Sequence, residues 1–261
     1  VGQVGNTHAG AFSQTHYALV QCRDCDVVRL DPLPTDDDLD VLYRQTEQFD
    51  DDLYTDAERI ESMLDYYGHC LDHLGLMPRD GEASLEVGAG FAWVSRAIRQ
   101  RSDAVRTIAQ DVTEECVGRT DWVDDYHVGQ VDELPGTRRF RLISLTHVIE
   151  HLKHPARMLL DLSERLLPGG RILITAPHRP EGWTPDAGLE TWLSYSYLHV
   201  PAHIAYLSKT WFEITAARCG LRLIHWDASH ENGQAFEAVL ELDPGRGQGW
   251  WARRRRRRAF R

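Results

Sequence analysis

The middle of the chain alternates between short apolar runs and longer stretches with helical spacing. Ser84–Val87, Val105–Ala109, Phe140–Leu145 and Arg171–Ala176 are apolar runs of strand length, and Tyr126–Val128 reads as a shorter one. Ala92–Arg101 and Pro155–Leu167 place apolar residues on one helical face, and a further short helix is expected around Glu114–Gly118. A helix from Ser208 to Cys219, stopped by Gly220, leads to two closing strands, Leu221–Ala228 and Ala235–Leu242. Strand, helix and strand in alternation predict an α/β fold, with a parallel sheet covered by helices on both faces.

The first 80 residues follow a different pattern. Tyr17–Leu30 reads as two short strands around Cys22-x-x-Cys25, after a polar, Gly-rich and loose stretch over 1–16. Asp31-Pro-Leu-Pro34 is a rigid stop, and Thr35 caps a helix around Leu39–Tyr43 whose first turn is acidic. Ile60, Met63, Leu64, Tyr67 and Leu71 mark Ala57–Leu74 as a long amphipathic helix. The expected organisation is an N-terminal segment with a cysteine knuckle and a helical cap (1–80), a main domain (81–244) with an aromatic lid at 178–207, and an Arg-rich tail (245–261). Two thiolates at Cys-x-x-Cys spacing are half of a zinc ribbon. No second pair is present, so His8 and His16 would have to complete four ligands; otherwise the knuckle is a relic or is completed outside this sequence.

Composition narrows the classes. With 261 residues, 42% of them hydrophobic, the chain has enough apolar material for one α/β domain with small additions. A net charge of −11 argues against nucleic acid as a partner, and Arg253–Arg258 reads as a solvated tail or a phosphate-binding arm. No apolar run approaches the roughly 18–20 residues of a membrane span, and no signal peptide is visible in a sequence that begins at Val1. Five scattered cysteines suit a reducing compartment, so a cytoplasmic protein is expected, with a homodimer as one form.

The chemistry starts at Glu86-Val-Gly88-Ala-Gly90. A glycine turn between strand and helix brings backbone N–H groups to a cofactor. A dinucleotide fingerprint requires Gly-x-Gly-x-x-Gly, and here the third position is Trp93, which would crowd a pyrophosphate. Glu86 beside the turn suits a cationic ligand such as an α-ammonium. Asp111, closing the second strand, can accept both hydroxyls of a ribose. An amino acid joined to a nucleoside points to S-adenosyl-L-methionine (SAM), with NAD the weaker reading.

Residues 83–242 resemble the class I SAM-dependent methyltransferases, the branch rich in small-molecule O-, N- and C-methylating enzymes. Five stretches carry the likeness in order: Leu85–Gly90, Ile108–Asp111, Gly129–Pro135, Phe140–His151 and Leu166–Ile174. The knuckle leading to Asp31-Pro-Leu-Pro34 and Leu42-Tyr43 is similar to the front end of one bacterial subgroup. The resemblance implies a Rossmann-like doubly wound sheet, mostly parallel with an antiparallel last strand, and a cofactor site of Glu86, Gly88, Ala89, Gly90, Asp111, Val112, Gln130, Val131, Asp132, Thr146 and His147. The chain departs from the family at Ala92, often glycine, and at Gln130 and Arg141, usually aspartates.

Methyl transfer to oxygen or nitrogen needs alignment and a proton acceptor. His147, Glu150 and His151 stand at spacings that share a face if the segment is helical. His147 or His203 would serve as general base; alternatively Glu150, His151 and His203 bind a divalent metal, or Glu150 and His151 only brace the wall. His147-Val-Ile-Glu-His151 is similar to a Glu-x-x-Glu-His stretch in small-RNA 2′-O-methyltransferases and ubiquinone-pathway O-methyltransferases, and mixed His/carboxylate ligands favour Zn, Mn or Fe. Trp183, Trp192, Tyr195, Tyr197 and His199 are candidates for an acceptor wall, with packing of the lid as the alternative. The expected activity is methyl transfer to a small-molecule acceptor, O-methylation of a natural-product or sugar-like compound first, with N- or C-methylation or a non-catalytic SAM-fold protein as rivals.

Overall fold

The structure is a computed structural model and describes residues 2–7, 12–45, 55–229 and 233–244. In chain order the strands and helices are β1 (Gly2–Gly5), β2 (His16–Gln21), β3 (Val28–Asp31), α1 (Asp36–Gln45), α2 (Ala57–His73), β4 (Ala83–Val87), α3 (Trp93–Arg99), β5 (Arg106–Asp111), β6 (Asp125–Val128), β7 (Phe140–Thr146), α4 (Pro155–Ser163), β8 (Leu166–Pro177), α5 (Glu190–Leu193), β9 (Ala205–Tyr206), α6 (Lys209–Cys219), β10 (Leu221–Ser229) and β11 (Ala235–Leu242). Seven strands form the main sheet in the order β10-β11-β8-β7-β4-β5-β6. Strands β8, β7, β4, β5 and β6 are parallel, while β11 runs antiparallel to β8 and β10 to β11. This is the expected doubly wound α/β architecture with its antiparallel closing hairpin.

Strand alternation explains why both faces are covered. On one face Leu85, Ile143, Ile172 and Ile174 pack with Leu159 and Leu160 of α4 and Phe212 of α6. On the other, Leu142, Leu173 and Val239 meet Leu64 and Leu71 of α2 and Val94 and Ile98 of α3. Truncating a core residue such as Leu71 or Ile98 to alanine would cost roughly 2–5 kcal/mol. Asp56 caps α2 through its side chain to the Glu58 and Arg59 amides, and Ser208 caps α6 through the Trp211 amide.

The N-terminal segment holds more than helices. Strand β1 pairs with β2, placing Val4 opposite Tyr17, so residues 2–5 are not loose. Val4 is the one large apolar side chain in that stretch, too little for periodicity to detect. Strand β3 then pairs with β9 from the far end of the lid segment, completing a second, four-stranded sheet. Val4, Leu19 and Leu30 of this sheet share a second core with Trp183, Trp192 and Tyr206 of the lid.

Other expectations shift. Glu114–Gly118 forms turns rather than a helix, Gly118 lying at φ 75°. The helix expected to reach Leu167 ends at Ser163, because β8 already begins at Leu166. Cys22 is exposed and Cys25 half-buried in the β2–β3 turn, both as free thiols. His16 lies at the start of β2, hydrogen-bonding distance from Thr15, while His8 and Arg253–Arg258 fall outside the described residues. Among the described residues, no group of three metal-ligating side chains includes Cys22 or Cys25. No helix of the described residues is long and apolar enough to cross a membrane.

Candidate active site

The glycine turn leaves β4 at the carboxyl edge of the sheet. Gly88 and Gly90 both have positive φ, at 58° and 47°, and so does Ala92 at 53°. Glycine tolerates this region, whereas an alanine there carries about 1–2 kcal/mol of strain. Ala92 occupies the position where the related enzymes often have glycine, and it keeps the glycine-like conformation. It is also the N-cap of α3, with no side chain to offer the first amides. Glu86 takes over that task. Its carboxylate accepts from the Val94 amide at 3.2 Å, from the Ser95 amide at 2.8 Å and from the Ser95 hydroxyl at 2.8 Å. At 1% exposure its burial outweighs these donors and pushes the pKa up to about 7.

Asp111 closes β5 and is likewise held. Its Oδ2 accepts from the Gly90 amide at 2.9 Å and its Oδ1 from the Thr113 amide at 3.0 Å. The Thr113 hydroxyl also donates to Oδ1, at 3.3 Å, so Oδ1 is filled and Oδ2 retains an acceptor site for a ligand hydroxyl. Val112 beside it is 48% exposed. Across the edge, the Gln130 amide donates to Glu133 at 2.7 Å, and Gln110 Nε2 donates to the Gly129 carbonyl at 2.6 Å. Asp132 is exposed, but the Val131 side chain is buried in the main core and its carbonyl accepts from Arg165 at 2.9 Å. Ala89 is buried against Ala92 and Ala109.

Trp93 stacks on Trp122, whose Nε1 donates to the Phe91 and Ala92 carbonyls at 3.1 and 3.0 Å. Indole rings thus pack where a dinucleotide fingerprint needs its third glycine. Arg141, the other departure, lies at the opposite end of its strand from the glycine turn and pairs with Glu82 at 2.6 Å, away from the cofactor edge.

The wall beyond β7 differs from the helix expected there. Thr146 ends the strand, His147 adopts a left-handed φ of 54°, and Ile149–His151 form one 3-10 turn. His147 therefore does not sit on a helical face with Glu150 and His151. The turn still gathers them: Glu150 Oε1 is 3.7 Å from His147 Nδ1 and 3.7 Å from His151 Nε2. The fourth member arrives from the lid. The Ile204 amide donates to the Glu150 carbonyl at 2.8 Å, which brings His203 edge-on to His151 with ring centroids 4.9 Å apart. His199 lies beside His203 at 4.9 Å, and Tyr197 stacks between His147 and His203 at 6.2 Å from each. Burial, reinforced by His151, pushes the His203 pKa down to about 2. Burial lifts Glu150 to about 8, against the lowering effect of its own backbone amide. His147 is the solvent-facing member, its side chain 39% exposed.

Tyr197 and His199 thus border the histidine cluster. Trp183 and Trp192 do not: Trp192 is fully buried, 4.6 Å from the Tyr206 ring, inside the second core. Tyr195 has its hydroxyl on the His178 and Gln234 carbonyls, tying lid to sheet. Packing against the N-terminal sheet accounts for these three rings without an acceptor.

Two polar groups escaped notice in the sequence. Tyr67, expected only as a core residue of α2, puts its phenol against Thr146, Thr175 and buried Glu86, and its pKa is raised by burial. Glu237 of β11 is buried and accepts from Tyr66 at 3.1 Å and from the Cys70 thiol at 2.7 Å, with His225 Nε2 at 2.9 Å. Glu237 pairs with Thr175, and Thr175 with Thr146, so these side chains form one polar row across the sheet end. The sequence signal was a charged residue inside the mostly apolar strand Ala235–Leu242.

A glycine turn on β4, a carboxylate closing β5 and a titratable wall beyond β7 define a SAM-dependent methyltransferase. A family model described as a methyltransferase domain matches residues 58–225, and the chain belongs to that family. No curated protein matches the sequence. The fold is similar to the SAM-dependent methyltransferase of Mesorhizobium loti (TM-score 0.52, 16% identity, 68% of this chain and 99% of that one). It is also similar to magnesium protoporphyrin IX methyltransferase of Synechocystis PCC 6803 with bound S-adenosylhomocysteine (0.53, 12%, 71% and 85%). Coclaurine N-methyltransferase bound to N-methylheliamine and S-adenosylhomocysteine gives 0.50 at 14% identity, over 74% and 75%.

The residues present fit the donor. A Cβ on Gly88 would meet Val148 Cγ2 at 2.5 Å, so the turn is a close-packed cradle that only glycine permits.

Proposed function

We propose that the chain transfers the methyl group of SAM to a hydroxyl of a small-molecule acceptor, a natural-product or sugar-like compound. The observation that carries this reading is the histidine–carboxylate wall directly beyond Gly88, with His147 solvent-facing at its mouth. An imidazole at that point suits removal of a hydroxyl proton. The bound donor supplies a methyl group already activated on a sulfonium. The chain's residues do the rest: Asp111 offers the remaining acceptor site of its Oδ2 to a ribose hydroxyl, Gly88 and Gly90 allow close approach, and Glu86 holds the first turn of α3 and balances a nearby ammonium. Gln130 and Asp132 border the adenine side. The acceptor oxygen forms its bond to the methyl carbon as the carbon–sulfur bond breaks, its electron pair staying on sulfur, and the hydroxyl proton passes to His147. Products are the methyl ether, S-adenosyl-L-homocysteine and a proton. Tyr197 and His199 form the acceptor side.

Coclaurine and magnesium protoporphyrin IX, in the names of two structural neighbours, are small organic acceptors and support the acceptor size class. Product analysis tests the rest. Incubation with SAM and a panel of hydroxylated aromatic and glycosidic compounds, read by S-adenosylhomocysteine release and product NMR, should give an O-methyl product. An N- or C-methyl product would replace the O-methyl reading with its rival. His147→Ala should lower kcat by roughly 10²–10⁴-fold while leaving SAM affinity by calorimetry nearly unchanged; an unaltered kcat would remove His147 from the chemistry.

A further inference from the structure

A second cleft lies where β3, the segment after the 3-10 turn, the start of α4 and the start of α6 meet. Its volume is about 490 Å³, the size of a small-molecule site. Neither the glycine turn, nor Asp111, nor any member of the histidine wall lines it, so it is separate from the methyl-transfer site. Leu152 and Ile204 of its lining directly follow His151 and His203, so cleft and wall share two backbone segments. The floor is apolar. Val27 and Leu207 belong to the main core, Leu152 and Trp211 pack against it half-buried, and Ile204 is buried. The rim is basic. Arg29, Lys153, His154 and Arg157 line it, and among the described residues no carboxylate does. On a chain of net charge −11 this local excess runs against the average. The acids that meet these cations stand outside the lining. Lys153 Nζ is 2.6 Å from Asp36, whose side chain is 95% exposed. Arg157 Nε is 2.8 Å from Asp161, and an Arg29 guanidinium nitrogen is 3.8 Å from Asp31. Exposed pairs of this kind contribute little and yield to a better anion. An ammonium has three donors and a guanidinium five, so one acid partner exhausts neither.

We propose that this cleft binds a small planar aromatic anion, a carboxylate or sulfonate on a body of one or two rings, as a second ligand beside SAM and the acceptor. The ring lies on the apolar floor beside Trp211, and the anionic group meets Lys153 and Arg157 at the rim. Each half of the ligand follows from one half of the cleft. Covering the floor with a ring removes apolar surface from water on both partners, and an indole favours offset or edge contact with another ring. A guanidinium recognises a carboxylate through two parallel N–H donors and an ammonium meets it as a point charge. A cationic ligand would face like charges, and a neutral one would leave them unused. A flexible alkyl acid loses rotational freedom on binding that a rigid ring does not have to lose. The proposal does not depend on which atom of the acceptor is methylated.

Lys153 and Lys209 are the two lysines of the chain, and Lys153 alone lines the cleft, which gives the test an internal reference. Purified chain is treated with a low dose of acetic anhydride, and acetylation of each lysine is followed by peptide mass spectrometry with and without 2-naphthoate. Near-saturating 2-naphthoate should slow acetylation of Lys153 by about five-fold or more and leave Lys209 unchanged. 2-Naphthamide, of the same shape but uncharged, should protect neither lysine. Calorimetry should give one 2-naphthoate per chain, bound about ten-fold more weakly by Arg157→Glu, with SAM affinity unaltered. Absence of 2-naphthoate binding at millimolar concentration, or equal slowing of both lysines, overturns the site and leaves the methyltransferase reading intact. Equal protection by the amide overturns the anion, and equal protection by octanoate overturns the planar ring. An Arg157→Glu chain that folds, binds SAM and keeps full 2-naphthoate affinity overturns the rim contact. The protection measurement uses the unaltered chain, so it decides the site even where the variant fails to fold.

Discussion

Replacing Ser95 by alanine probes how the cofactor turn is held, and its effect should depend on pH. The Ser95 hydroxyl donates to Glu86 Oε2 at 2.8 Å, in a site where both residues are 1% exposed. The carboxyl has a folded pKa of about 7 against 4.5 for the ordinary group. The folded chain therefore binds the extra proton between those values. A raised carboxyl pKa contributes stability that is complete below pH ~4.5 and declines as pH rises towards 7, by about 3 kcal/mol in the limit. Ser95→Ala removes one donor with almost no change in volume. When the carboxyl is protonated, the lost bond is neutral and costs ~0.5–1.5 kcal/mol; when it is ionised, the loss is ~1.5–3 kcal/mol. The substitution should thus destabilise by about 1 kcal/mol at pH 5 and by about 2 kcal/mol or more at pH 8.5. Urea unfolding of both proteins at the two pH values measures this directly. An equal loss at both would mean that Glu86 does not titrate in this range, and a negligible loss at both would mean that the Ser95 hydroxyl does not hold it.

Gly88→Ala should destabilise by ~2–5 kcal/mol, the sum of left-handed backbone strain and overlap with Val148, and Val148→Ala in the same chain should restore the overlap part, as a double-mutant cycle in denaturant would show. Arg141 hydrogen-bonds to Glu82 and holds its carboxyl below the ordinary range. That contribution is present at neutral pH and lost as pH falls through the lowered value, so Arg141→Ala should raise the midpoint of acid unfolding at a neutral-pH cost of ~1 kcal/mol for this partly exposed pair. Trp192→Ala should cost ~3–5 kcal/mol by unfolding the second core, with SAM affinity at pre-transition denaturant unchanged; a parallel loss of SAM affinity would tie that core to the cofactor.

What the sequence made legible was local or repeated. Leu85, Ile143 and Ile172 announce a two-sided parallel sheet because every position of such a strand is buried. The glycine turn and Asp111 are close to strand ends, so their place in the fold follows from the strands themselves. His147 was harder. A His-x-x-Glu-His spacing suits a helix, but β7 continues to Thr146 and His147 turns left-handed, so the residues meet by a single tight turn. Trp192 and Trp183 look alike in the sequence to Tyr197, a ring near a proposed acceptor. Only the pairing of β3 with β9, 28–29 against 205–206, separates packing rings from site rings. Glu237, Tyr67 and Cys70 come together across a distance in sequence that no periodicity spans.

The same pairing explains how a loop can present chemistry with precision. Residues 199–204 have no long regular element, and such a segment would ordinarily sample many conformations. Here it is pinned at three places. The Val200 amide donates to Thr7 at 2.8 Å, the Leu30 amide to the Ile204 carbonyl at 2.9 Å, and the Ile204 amide to the Glu150 carbonyl at 2.8 Å. One tie comes from the 3-10 turn beyond β7, one from Thr7 just after β1 and one from β3. The N-terminal segment therefore helps set where His203 and Tyr197 stand relative to the glycine turn. Substitutions at Val4, Leu19 or Leu30 would therefore reach the segment that carries Tyr197 and His203 through that sheet, whereas substitutions in α3 would reach Glu86.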